Sequence, residues 1–277
     1  MDVRNYTENE IPTVVITGST RGIGKGLAAA FLELGASVVV SGRKESSSEA
    51  TAEELAPQDA RERVHACACD VRVEAQVEAL WECAYKHYGG VDIWVNNAGL
   101  GLARQAIWKN DLSEVRAVLE ANIWGTMLGS AVAARGMLAQ GGGAIYNMEG
   151  LGTTGRRIDG LAVYGTTKYG LDYFNQALIE ETRGSDVLVG TLSPGMVVTD
   201  LTISRYRPDS TEAKRFRRVM NLLGDKVENV APWLAIQMMR NQRHGARLKY
   251  LTWWRLSRRL LRRPFWKRDI LEGTPLG

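Results

Sequence analysis

Short apolar runs alternate with longer segments of helical period along the first two hundred residues. Thr13 to Thr17 is a β-branched run that ends in a glycine-rich turn. Lys25 to Leu34 has helical spacing, and Gly35 stops it. Ser37 to Ser41 reads as the second strand and Arg63 to Cys69 as the third, with a helix through Glu49 to Leu55 between them. Glu74 to Tyr88 is amphipathic and stops at Gly89-Gly90. Val91 to Val95 is a fourth strand, followed by helices around Leu112 to Arg135 and a strand at Ala144 to Asn147. Tyr164 to Arg183 is a long helix, and Val187 to Leu192 a sixth strand. This alternation predicts an α/β fold: a single doubly wound (Rossmann) parallel sheet with helices on both faces.

Composition changes this picture mainly at the end of the chain. With 277 residues, 45% hydrophobic and 24% charged, the chain can bury a full core. No apolar run reaches the ~18 residues of a transmembrane helix. Cys67, Cys69 and Cys83 are too few for a disulfide framework and read as reduced structural thiols, and no metal site is expected. The first ten residues carry Asp2, Glu8 and Glu10, which fits neither a signal peptide nor an acid-poor transit peptide. The expectation is a protein that stays where it is made or has lost an upstream segment.

The net charge of +4 is unevenly placed: Arg243 to Arg268 holds ten Lys or Arg and no acid. That leaves the body near about −6. The same stretch holds Trp253, Trp254 and Trp266. The expected organisation is one α/β domain over 1–245 and a basic, tryptophan-rich C-terminal extension over 246–277. On a helical wheel, Trp253, Trp254, Leu256, Leu260 and Leu261 share one side, and Arg255, Arg258, Arg259, Arg262 and Arg263 the other, until Pro264. Such a helix suits a membrane surface, docking on an acidic partner, or packing on its own domain or across an oligomer interface. No nucleic-acid motif accompanies the charge, so no nucleic-acid partner is expected.

The first strand runs into Gly18-Ser19-Thr20-Arg21-Gly22-Ile23-Gly24. Glycines there let backbone approach a pyrophosphate, and the helix that follows supplies N–H donors and a partial positive charge. The second strand ends Ser41-Gly42-Arg43, without the acid that would bind free ribose hydroxyls. Arg21 and Arg43 can instead meet a 2′-phosphate, so NADPH is expected over NADH. Downstream, Tyr164 and Lys168 stand four residues apart, on one face of a helix. A tyrosine hydroxyl is a weak acid, and an ammonium beside it favours the phenolate. Such a pair can pass a proton to a carbonyl oxygen.

Over residues 11 to about 200 the chain resembles the short-chain dehydrogenase/reductase family. The resemblance is carried by Thr17-Gly18 to Gly24, Asp70-Val71, Asn96-Asn97-Ala98-Gly99, Asn122, Tyr164-x-x-x-Lys168 and Pro194-Gly195. It implies that Asp70 and Val71 hold the adenine and that Asn97, Ala98 and Gly99 line the floor under the cofactor. Pro194, Gly195, Val197 and Thr199 would face the nicotinamide. Lys168 would also hold the nicotinamide ribose, and Asn122 would anchor a water that relays protons to it. The family often forms dimers or tetramers, so a homo-oligomer is expected.

The family's usual Asn-x-Ser-Ser is missing. Here the segment reads Asn147-Met148-Glu149-Gly150-Leu151-Gly152-Thr153-Thr154, with Gly150 in the serine's place and one extra residue before Tyr164. Thr153 or Thr154 must then polarise the carbonyl, and a bulged turn returning Thr153 to the site favours the former. This segment, Ser193 to Leu201, Asn221-Leu222-Leu223 and Lys249-Tyr250-Leu251-Thr252 look like the chlorophyll(ide) b reductases of plants and algae. That resemblance implies NADPH-dependent reduction of the 7-formyl group of chlorophyll b or chlorophyllide b. It also implies a chloroplast location on the stromal face of the thylakoid membrane, with a light-harvesting complex and the thylakoid surface as partners of the basic tail. The alternatives are a reductase of another hydrophobic carbonyl (a steroid, quinone or 3-oxoacyl group) and an NADPH-binding scaffold without catalysis. Lys214-Arg215-Phe216-Arg217-Arg218 reads as a contact for an acidic group or as a solvated helix face. Glu149 reads as a proton relay or as a buried, hydrogen-bonded acid.

Overall fold

The computed structural model describes residues 11–58, 60–204, 206, 208–262 and 268–276. The strands are β1 Thr13–Ile16, β2 Ser37–Gly42, β3 Val64–Ala68, β4 Ile93–Asn96, β5 Gly143–Met148, β6 Val187–Ser193, β7 Met196–Val197, β8 Gly224–Asp225 and β9 Ala246–Lys249. The helices are α1 Gly22–Glu33, α2 Glu45–Leu55, α3 Glu74–Tyr88, α4 Leu112–Leu119, α5 Gly125–Gln140, α6 Ala162–Glu181, α7 Asp200–Ile203, α8 Thr211–Leu223, α9 Val227–Arg240 and α10 Trp253–Arg262.

Seven strands form one parallel sheet in the order β3-β2-β1-β4-β5-β6-β9, and β7 pairs with β8 apart from it. The order reverses between β1 and β4, which opens a crevice at the carboxyl ends of those strands. Alternate side chains feed opposite faces. Val14, Ile16, Val38 and Val40 pack with Leu27 and Phe31 of α1 and Leu234 of α9. Val15, Val39 and Ile145 pack with Leu80 of α3, Leu128 of α5 and Leu178 of α6. Because both faces are covered, the strands read as near-continuous apolar runs.

Two helix starts differ from expectation. α1 begins at Gly22, three residues before Lys25, because the glycine turn itself supplies the first helical residues. α2 begins at Glu45 and buries only Ser48, Thr51 and Ala52, so no apolar period marks its first turn. The helical stretch from Leu112 is interrupted by a π-turn over Glu120–Trp124. The extension expected from residue 246 opens with β9, which pairs along β6. Its later part folds back: Ile270, Leu271 and Leu276 bury against Ala213, Phe216 and Met220 of α8.

Candidate active site

The glycine loop is held by close backbone approach. A Cβ on Gly18 would lie 2.9 Å from Ala98 Cα, and Gly18 has φ +64°. A Cβ on Gly24 would lie 2.5 Å from both Asn97 Nδ2 and the Gly18 carbonyl oxygen. Asn97 Nδ2 donates to the carbonyls of Thr17 (2.9 Å) and Gly18 (3.0 Å), fixing the loop from below. Ser19 Oγ donates to Ile16 O and accepts from Ser41 N, which ties the loop to the end of β2.

No side chain caps α1, and its first turn has no acid, so its N–H groups face the crevice mouth ready for an anion. Ser41 Oγ, fully buried beside the loop, has no hydrogen-bond partner. Glycines without room for a side chain, an uncapped helix start and an orphaned hydroxyl fit a dinucleotide. Arg21 and Arg43 are exposed. The Arg72 guanidinium grips Asp70 (Nη2–Oδ2 2.6 Å) and, against the opposing pull of burial, holds its carboxyl below the usual range, with a smaller push from Arg43. Val71 is buried.

On the other side of the crevice, α6 presents Tyr164 and Lys168, both buried. Lys168 Nζ donates to Met148 O at 2.9 Å and sits 6.0 Å from the Tyr164 ring centroid. Asn122 lies in the π-turn, a helix irregularity that is frequent at functional sites. Its side chain accepts from Leu100 N (2.7 Å) and donates to Leu100 O (3.0 Å) and Thr167 Oγ1 (3.2 Å). Thr167 in turn donates to Tyr164 O, so Asn122 braces the stretch after Gly99 and the start of α6 together. A small hollow beside Tyr164 is lined by Leu102, Ile107, Leu161 and Val163.

The segment after β5 turns tightly. A Cβ on Gly150 would stand 2.5 Å from Tyr164 Oη and 3.0 Å from Lys168 Cε, so a serine there would have to push the Tyr164 hydroxyl aside. Thr153 is buried, and its Oγ1 accepts from Gly150 N (3.1 Å) and donates to Gly150 O (2.8 Å). Thr154 is exposed. Glu149 is buried in a two-point ion pair with Arg247 of β9 (Nη2–Oε2 2.6 Å, Nε–Oε2 3.1 Å), the hydrogen-bonded acid rather than a free relay. Pro194 and Val197 are buried, and the loop reaches the glycine turn, where a Cβ on Gly22 would lie 3.5 Å from the Thr199 methyl.

Several supporting residues were given no role by the sequence, Asn96 and Asn147 appearing there only within longer motifs. Asn96 donates to Ser130 Oγ and Asn147 Oδ1, and Asn147 donates to Asn175 Oδ1, a buried ladder under the site. Polar residues inside apolar strands were the available clue. Asp225 accepts from Tyr250, Arg259 and Arg268. Burial would raise its pKa, but hydrogen bonds from Asn229, Tyr250 and Lys226 N and the charge of Arg268 hold it below the usual range.

The basic run on α8 divides. Phe216 is buried, stacked on Tyr206, and Arg217 pairs with Asp269, while Lys214, Arg215 and Arg218 are exposed. The tail helix departs from its expected division. Arg255 and Arg259 turn toward the body and Arg258 outward, beside exposed Trp254, because the buried Asp225 draws Arg259 in. Leu256 is half-buried, away from the exposed Trp253 and Trp254. Arg263, Pro264, Trp266 and the side chains of Leu260 and Arg262 lie outside the described residues. All three cysteines are free thiols, and burial pushes Cys69 up to about 12. Among the described residues no group of His, Cys, Asp and Glu could hold a metal ion, and no helix is long and apolar enough to cross a membrane.

The family model for short chain dehydrogenases matches residues 12–209. A probable chloroplastic chlorophyll(ide) b reductase of Arabidopsis thaliana is 34% identical over 255 residues, 86% of this chain and 50% of that one. A chloroplastic chlorophyll(ide) b reductase of Oryza sativa subsp. japonica is 33% identical over 226 residues, 80% of this chain and 64% of that one. The chain thus spans about half to two thirds of the length of these curated relatives. Among solved structures, a 3-ketoacyl-(acyl-carrier-protein) reductase of Brucella melitensis complexed with NADH superposes with a TM-score of 0.75 at 27% identity, covering 86% of this chain and 96% of that one. With the matched model spanning both the glycine loop and the Tyr164–Lys168 pair, the chain belongs to the short chain dehydrogenase family of oxidoreductases.

Proposed function

We propose that this protein reduces the 7-formyl group of chlorophyll b or chlorophyllide b to 7-hydroxymethyl with NADPH, in the chloroplast. One observation carries the reading: Gly150 is pressed against Tyr164 Oη where the wider family keeps a serine, and the Thr153 hydroxyl closes that turn. The names of the chloroplastic relatives support the same pigment.

The bound cofactor supplies a hydride to the formyl carbon. Gly18, Gly22, Gly24 and the start of α1 cradle its phosphates, and Arg21 and Arg43 meet the 2′-phosphate. Tyr164 Oη gives its proton to the formyl oxygen, so that the aldehyde takes up a hydride and a proton and becomes the alcohol. Lys168, anchored on Met148 O, keeps positive charge beside Tyr164. Thr153 swings its O–H from Gly150 O to the developing alkoxide, which is stabilised as charge builds on it.

The test is incubation with chlorophyll b or chlorophyllide b and NADPH, followed by pigment separation. A 7-hydroxymethyl product supports the reading. Turnover of a steroid, quinone or 3-oxoacyl carbonyl with both pigments untouched would replace the substrate. No turnover of any carbonyl would favour a nucleotide-binding scaffold. Binding NADH as tightly as NADPH would remove the role given to Arg21 and Arg43.

A further inference from the structure

Helix α10 is mounted with charge inward and aromatic rings outward. The Arg255 guanidinium lies 4.0 Å from the Tyr250 ring centroid and 4.8 Å from that of Trp233. Arg259 donates to the carbonyls of Leu223 and Gly224 and pairs with Asp225, which Arg268 also holds. Trp253 and Trp254 are each 81% exposed and Leu261 75%. At about 100° per residue, Trp253, Ser257, Leu261, Trp254 and Arg258 fall in one outward arc of about 140°. The inward arginines are engaged by protein, so they cannot serve as the lipid-facing charges of an ordinary basic amphipathic helix.

Charge around this edge is mainly positive. Over α8 and residues 249–261 the exposed charged side chains are Lys214, Arg215, Arg218, Lys249 and Arg258, against Glu212 alone. Trp rings with a polar N–H suit the boundary between headgroups and acyl chains. The three apolar side chains together offer about 500 Å², short of the ~800 Å² per partner of a stable protein interface. A bilayer asks for no matching contour. The edge also borders the crevice: Leu251, just before α10, stands 3.2 Å from a Cβ built on Gly195, and Asp225 pairs with Val197.

We propose that Trp253, Trp254 and Leu261 insert into the surface of a bilayer containing anionic lipid, with Arg255 and Arg259 fixing the helix's rotation so that these side chains face outward. This seating goes beyond the choice of carbonyl and holds for any hydrophobic substrate delivered from lipid.

The test is flotation of the full chain with phosphatidylglycerol–phosphatidylcholine vesicles, which contain no carbonyl substrate and so give a result separate from the identity of the pigment. The wild type floats with mixed vesicles and much less with phosphatidylcholine alone. Trp253→Ser with Trp254→Ser lowers binding about ten-fold, at an unchanged melting temperature. Arg258→Ala lowers it about five-fold at low salt and has little effect at high salt. Leu261→Ser repeats the tryptophan result independently. A wild type that stays in solution, or a double variant that floats like the wild type, overturns the proposal. A double variant that changes sedimentation mass with vesicle binding unaltered also overturns it, assigning the edge to a second copy of the chain.

Discussion

The two sides of the crevice are held by different means. On the glycine-loop side, Gly18 meets the Ala98 backbone, and Gly24 meets the Gly18 carbonyl and the Asn97 side-chain amide, at distances that leave the glycines no room for a side chain. On the Tyr164 side and behind the loop after Pro194, side-chain charge is added: Glu149 with Arg247 across 98 residues, and Asp225 with Arg259 and Arg268 across 34 and 43. A loop built for a phosphate needs atoms that every backbone carries, so its sequence signature is the absence of side chains. A surface built for one carbonyl needs particular side chains, and these come from distant parts of the chain. Backbone approach fails sterically, at any pH. Charge pairs fail when one partner is removed or titrated.

The largest expected effect lies at the centre of the charged side. Tyr164→Phe should lower carbonyl turnover about 10⁴-fold, because the proton donor is gone, while dinucleotide affinity stays within about two-fold. Single-turnover rates together with cofactor titration measure both. A variant with near-normal turnover would move proton donation to another residue.

Gly150→Ser sharpens the comparison, since it restores the residue usual in the wider family. On a generic reductase scaffold it would help or do nothing. Here its Cβ would stand 2.5 Å from Tyr164 Oη, so turnover should fall more than about 100-fold through displacement of the donor. Steady-state kinetics on the pure variant would show it. A gain in rate would mean that the turn relaxes and that close approach at Gly150 does not fix the position of Tyr164.

Thr153→Val should cost about 100-fold at most, and Thr154→Val close to nothing, because Thr153 is buried in the Gly150 turn and Thr154 is exposed. The reverse order would place the carbonyl donor on the outer threonine.

These residues differ in how far the sequence alone reveals them. Strand and helix alternation was legible because the sheet is covered on both faces and its central strands are mostly apolar. The glycine loop and the Tyr164–Lys168 pair were legible because each is a local spacing. The start of α2 was not, since its first turn buries only Ser48. β9 was missed because Ala246–Lys249 is a four-residue edge strand that alternates with charge. The tail's apolar and basic residues could be counted on a wheel, but not which side faces inward. Asp225, well outside the tail, decides that by drawing in Arg259, and nothing in the tail's own residues records it.

Asp225 therefore offers a small effect on rate and a direct test of the charged side. Asp225→Asn removes the negative charge, and one of the two acceptor oxygens, that pair with two arginines themselves mostly buried, with side chains 16% and 17% exposed. Stability at neutral pH should fall by about 3 kcal/mol, with only a few-fold change in turnover. Because the folded-state pKa of Asp225 lies below the usual carboxylate range, its stabilisation is complete above about pH 4 and is lost as pH falls through the lowered value. Denaturant titrations should thus show wild type and variant far apart at pH 7 and converging in acid. A gap that stays constant into acid would mean that Asp225 acts through packing or neutral hydrogen bonds. The Tyr164 side would then be held, like the glycine loop, by contacts that pH does not reach.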